Sequence, residues 1–98
     1  MPIVAVFQSP SLTQERYEQA CWKLTGGKRA RMESQSDWPV EGVLVHIAGQ
    51  TDKGFRVVDV WTSEDAFRRF GEKIMPILKE VGVDGEPEIY QAHAFVAA

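Results

Sequence analysis

Two runs in the middle of this 98-residue chain, Gly42 to Gly49 and Gly54 to Trp61, are apolar at odd and even positions alike. Val43, Val45 and Ile47 alternate with Leu44 and Ala48, and Val58 and Val60 alternate with Val57 and Trp61. Successive side chains of a strand point to opposite faces, so these runs predict a sheet that must be covered on both sides. A chain of 98 residues has apolar surface for a single core, and residues 1–98 are read as one domain.

The other elements follow from patterning. Ile3 to Phe7 is a continuous β-prone run closed by Ser9-Pro10-Ser11 and reads as a buried strand. Thr13 has the features of a helix N-cap, with Leu12 and Tyr17 placed for a hydrophobic staple and Glu15 in the first turn. Tyr17, Ala20, Cys21 and Leu24 form one apolar stripe, and Gly26-Gly27 ends that helix. A second helix is capped by Thr62 or Ser63, buries Phe67, Phe70, Ile74, Leu78 and Val81, and stops at Gly82. Pro76 lies inside it and predicts a kink. Gln50 to Lys53 is hairpin material, and Glu88 to Val96 reads as the fourth strand. Residues 25–41 show no period and form a long loop, either mobile or packed down through Met32 and Trp38-Pro39.

The order β-α-β-β-α-β predicts an α+β fold of the ferredoxin-like kind, a four-stranded antiparallel sheet with both helices on one face. Two helices cover one side only. A bare Val/Ile face is rare on a soluble monomer, so the pattern predicts a homodimer that packs sheet face to sheet face. Apolar residues at 44% and charged ones at 26% fit a soluble globular domain. The net charge of −3 lacks the basic footprint of a nucleic-acid binder. The run from Ile3 to Phe7 is too short for a signal core or a membrane span, and no later run is long enough to cross a bilayer. A lone cysteine, Cys21, excludes an intrachain disulfide and a multi-cysteine metal site, and fits a reducing compartment. The expected location is cytoplasmic, with no membrane and no nucleic acid as partner.

With these elements placed, the chain resembles the dimeric α/β-barrel proteins, and within them the antibiotic biosynthesis monooxygenase-like group. The resemblance covers nearly the whole chain except about Lys28 to Asp37, and is carried by Arg56-Val57-Val58-Asp59-Val60-Trp61-Thr62-Ser63-Glu64-Asp65-Ala66-Phe67. Val45-His46-Ile47-Ala48-Gly49 and the proline-containing second helix are similar to a subset of uncharacterised members. It implies a homodimeric barrel with a ligand cavity between sheet and helices and Trp61 among the lining residues. The superfamily includes cofactor-free oxygenases of polycyclic phenols, haem-degrading enzymes, isomerases and members with no known activity. Haem-degrading members carry an iron-ligating histidine on the second helix, where this chain has Phe67, Phe70 and Gly71, so the expectation is no cofactor.

His46 and Asp59 are the polar residues set inside the two apolar strands of the hairpin. An even-length loop, for instance with Gly49 opposite Gly54, places them on one face within hydrogen-bond reach; an odd-length loop separates them. Together they would form a general base for a phenolic or enolic proton, with Asp59 orienting the imidazole. The plainer reading has Asp59 anchoring a backbone or Trp61 indole N–H, with His46 a satisfied core residue. Trp61, Phe67 and Phe70 would wall a flat apolar pocket for a small aromatic ligand, although helical spacing alone already explains Phe67 and Phe70. His93 on the fourth strand is too far from His46 to share a metal, since the two edge strands lie roughly 14 Å apart, and no metal site is expected. Cys21 reads as an inert core thiol. Lys28, Arg29 and Arg31 are either a solvated turn or a flap that attracts an anionic ligand. Two functions result: a cofactor-independent monooxygenase-like enzyme acting on an aromatic or polyketide-like molecule, or a non-catalytic dimer that binds a small ligand or serves as an accessory subunit.

Overall fold

A computed structural model describes residues 1–97. The strands are β1 (Ile3–Phe7), β2 (Val43–Thr51), β3 (Gly54–Trp61) and β4 (Glu88–Gln91), and the helices are α1 (Gln14–Leu24) and α2 (Glu64–Glu80). The sheet is antiparallel in the order β2-β3-β1-β4, and both helices lie over one face, an α+β arrangement compatible with a ferredoxin-like fold.

Local chemistry sets the helix ends where the sequence places them. The Thr13 hydroxyl accepts from the Arg16 N–H at 3.2 Å, and the Ser63 hydroxyl accepts from the Ala66 N–H at 3.1 Å. After α2, Gly82 takes φ +85°, and the Val83 N–H donates back to the Leu78 carbonyl. α2 runs through Pro76 as one helix to Glu80.

Three expectations change. β2 extends to Thr51, which pairs with Gly54, so the hairpin turn is only Asp52-Lys53. The loop length is even, the alternative that brings the two polar residues together, with Gly49 opposite Arg56 and His46 directly opposite Asp59. β4 ends at Gln91 rather than Val96. Its partner β1 begins at Ile3, the Ala92 N–H reaches the carbonyl of Pro2, and Pro2 has no N–H to continue the ladder. His93 therefore lies beyond the strand and is exposed. Finally, the ladder slips between Val43 and Val45, leaving Leu44 as an extra residue. Val43 consequently faces Trp61 and is buried, instead of sharing the outer face with Val45 and Ile47.

The loop over residues 25–41 is packed. Gln35–Asp37 forms one 3₁₀ turn, closed by the Asp37 carboxylate accepting from the N–H groups of Glu33 and Ser34 at 2.8 and 3.0 Å. The Gln35 side-chain amide donates to the Val43 carbonyl at 2.9 Å, which ties the loop to the bulge. Trp38 is thereby laid edge-on to Trp61 and His46 and tilted against Phe70.

The inner face of the sheet holds two core clusters. Ile3, Ala5, Val43, Trp61, Ala66 and Phe70 form one, and Leu12, Phe55 and Val83 form the other. The outer face carries Val4, Val6, Val45, Val58 and Val60, with Ile47 and Tyr90 at 59% and 51% exposure. Among the described residues no helix is long and apolar enough to cross a membrane.

Gly42 joins the loop to β2 at φ +117°, and a Cβ there would stand 2.6 Å from the Cβ of Ala66. Gly42→Ala combines backbone strain with overpacking and should destabilise the fold by about 2–4 kcal/mol. Denaturant unfolding checks this; a change below the error of the measurement would show that the loop–helix contact yields freely.

Candidate functional site

Between the sheet and the two helices lies a cavity of ≈ 720 Å³. Its wall is mainly apolar, with the charged Glu64, Arg68 and Glu72 of α2 also on it. α1 gives it Ala20 and Cys21, α2 gives Phe67, Phe70 and Ile74, and Ala5, Phe7 and Val57 form its floor on the sheet. It reaches Ile89 on β4 at one side, and at the other meets Tyr17, His46 and Asp59. The volume falls in the range of pockets that hold drug-sized molecules, roughly 300–1,000 Å³.

The polar corner is a chain of short contacts. His46 Nδ1 lies 2.7 Å from Asp59 Oδ1, and His46 Nε2 lies 2.7 Å from the Tyr17 hydroxyl. A carboxylate can only accept, so Nδ1 carries the hydrogen. In the neutral ring Nε2 is then the acceptor, and the Tyr17 hydroxyl donates to it. The second Asp59 oxygen, Oδ2, accepts the Trp61 indole N–H at 3.3 Å. Asp59 borders the cavity but is only 5% exposed, and Trp61 is fully buried behind the wall.

The hairpin positions this corner. Because His46 and Asp59 are cross-strand partners on the inner face, their side chains meet without either strand bending. The apolar stripe of α1 brings Tyr17 down onto the same spot, its ring stacked at 14° to the imidazole plane. Burial is the leading reason that the Tyr17 phenol ionises well above the ordinary tyrosine range, and the nearby Cys21 thiol adds to it. The phenol therefore stays protonated and remains a donor. Cys21, also at the cavity wall, is pushed up to about 11 mainly by burial, with the charge of Glu18 adding to it, which removes it as a thiolate nucleophile near neutral pH.

Of the residues singled out in the sequence, His46 and Asp59 are brought together, and Phe67 and Phe70 line the cavity. Trp61 does not line it. The ring lies behind the wall, stacked on Phe70 and bonded to Asp59, so the plainer reading of Asp59 as an indole anchor holds at the same time as the histidine contact. Trp38 takes the lining place instead. Arg29 is used within the loop, 3.4 Å from Asp37, and Arg31 lies 3.6 Å from Glu33. Neither borders the apolar cavity. His93 is apart from the site, and among the described residues no group of three or more His, Cys, Asp or Glu could hold a metal ion.

Sequence reasoning missed Tyr17 and Trp38 as site residues. Tyr17 was absorbed into the helix stripe, where its ring does serve as core; the available signal was its hydroxyl, the one polar tip on a stripe facing a sheet with two inward polar residues. No protein-family model, no curated protein and no solved structure matches the chain.

The raised ionisation of Cys21 fixes the sign of an alkaline effect. Below pH 9.0, the ordinary value, the thiol is protonated in both folded and unfolded chains; between there and about 11 only the unfolded chain releases the proton. Stability is therefore lost as pH rises through this window. Melting temperatures measured across it should fall less steeply in Cys21→Ala than in the wild type, and parallel curves would contradict the assignment.

Proposed function

We propose that this protein is a small enzyme that removes a proton from a flat hydroxylated aromatic molecule held in the cavity, in the manner of the cofactor-independent oxygenases that its sequence resembles. The observation that carries the reading is the Tyr17–His46–Asp59 chain of two 2.7 Å contacts set into a mainly apolar cavity, whose other charged residues, Glu64, Arg68 and Glu72, all come from α2. A core histidine needs partners for its nitrogens. It does not need an empty apolar space beside it large enough for a ligand.

Asp59 holds one tautomer and stabilises the imidazolium formed when His46 gains a proton, as a general base requires. Proton removal from a phenol or its keto tautomer leaves an electron-rich carbanionic carbon. Dioxygen is then the oxidant: the substrate carbon, passing from methylene to carbonyl, supplies all four electrons, one oxygen atom becomes its carbonyl, and the other leaves as water with the two hydrogens of the original methylene. The apolar side chains beside His46, Phe67 and Phe70 among them, would limit reprotonation of the carbanion by solvent. The second reading, a non-catalytic ligand carrier, shares the cavity but gives the base no task.

His46→Ala should lower oxygen uptake on a tricyclic anthrone by about 100-fold or more while ligand affinity stays within about threefold. Full uptake in the variant would dispose of the base, and lost affinity with no wild-type uptake would favour the carrier.

The assembly proposed with this site is a homodimer through the outer sheet face. Support comes from the five valines with Ile47 and Tyr90 on that face, and from Arg56 and Glu88, which place opposite charges on it. Light scattering at micromolar concentration should give twice the chain mass of 11.0 kDa. Val58→Glu should reduce it to the single-chain value or prevent folding. A wild-type monomer would overturn the assembly.

A further inference from the structure

Both imidazole nitrogens of His46 are engaged, Nδ1 by Asp59 and Nε2 by Tyr17. A ligand in the apolar cavity therefore meets no free histidine nitrogen. The Tyr17 oxygen is differently placed: it gives its hydrogen to Nε2 and still has lone pairs, approached by the Met32 N–H at the long distance of 3.5 Å and by the weakly donating Cys21 thiol. Tyr17 also borders the cavity.

We infer that Tyr17 is the catalytic residue that touches the ligand, its oxygen taking the hydrogen of the ligand hydroxyl as its own hydrogen passes to His46 Nε2. The inference rests on the proposed role of His46 as base and names the route by which the base is reached. The balance is closed. The ligand O–H bond breaks as a new Tyr17 O–H forms, and the old Tyr17 O–H breaks as Nε2–H forms. The ligand becomes a phenolate, His46 an imidazolium facing the Asp59 carboxylate, and Tyr17 ends as it began; nothing is oxidised or reduced. A buried phenol that resists ionisation suits this role, because the relay never leaves charge on it.

Tyr17 and His46 also border a second, polar recess of ≈ 300 Å³ with Gln14, Glu18, Arg31 and Gln50. The two rings thus stand between a mainly apolar cavity and a polar one.

The test uses 2-naphthol, whose bound naphtholate is read by its absorbance, and naphthalene, which lacks the hydroxyl. In wild-type protein the ionisation midpoint of bound naphthol should fall by about 1–2 pH units from its value in water. Tyr17→Phe should return it to that value or higher while naphthalene affinity stays within about threefold, and His46→Gln should do the same. If His46→Gln abolishes the shift and Tyr17→Phe retains it, the relay is overturned and the base reading survives. If the wild type shows no shift, both fall. Should Tyr17→Phe not fold, 3-fluorotyrosine incorporation keeps the shape and makes the hydroxyl a stronger donor to bound naphtholate. It should lower the midpoint further, and an unchanged midpoint overturns the relay.

Discussion

A buried carboxylate at the edge of a mainly apolar cavity is costly unless its oxygens are occupied, and Asp59 has both of them occupied. The imidazole of His46 takes one and the indole of Trp61 takes the other. Much of the fold can be traced from that requirement. It needs an even hairpin, so that His46 comes from across the ladder, and it needs Trp61 turned inward two residues along the same strand. With Trp61 inward, the bulge at Leu44 lets Val43 close over it, and Phe70 stacks on its other side. The polar residue dictates where the apolar ones go, a reversal of the usual order in a small core.

Element order, helix caps and the two strands of the hairpin were readable from the chain because each rests on short-range chemistry: Thr13 and Ser63 as caps, Gly82 as a stop, period-two and period-3.6 patterns between them. What could not be read depended on events at a distance. The end of β4 is set by Pro2, some ninety residues earlier in the chain. The face taken by Val43 turns on a bulge that no residue type announces. At the site, the pairing of His46 with Asp59 was foreseeable as one of two parities, whereas Tyr17 and Trp38 reach it from a helix and a loop whose docking no local pattern specifies. Trp61 was placed correctly on the inner face but one layer too shallow.

The cavity and the core divide one interior between them. Large side chains that could have filled the space, Phe67, Phe70 and Trp38, stand around it as walls, and the two core clusters sit on either side. Trp38 is held there by a loop whose own order comes from Asp37, since the Glu33 and then the Ser34 backbone N–H groups, with Arg29 nearby, keep that carboxyl below its usual range. A segment without regular secondary structure thus supplies part of the site's shape by hydrogen bonding to itself.

The two-residue turn at Asp52-Lys53 has a consequence for how relatives of this chain can vary. Thr51 closes the turn, its hydroxyl donating to the Gly54 carbonyl at 2.7 Å and accepting from the Lys53 N–H at 3.1 Å. Side chains alternate faces along a strand, so any change of turn length that slips the pairing by one residue would send His46 to the outside of the sheet and leave Asp59 alone indoors. A longer turn can be tolerated only where it absorbs the added residue and keeps His46 opposite Asp59. The turn is solvent-exposed and remote from the cavity, yet its length is under the same constraint as the residues that line the site.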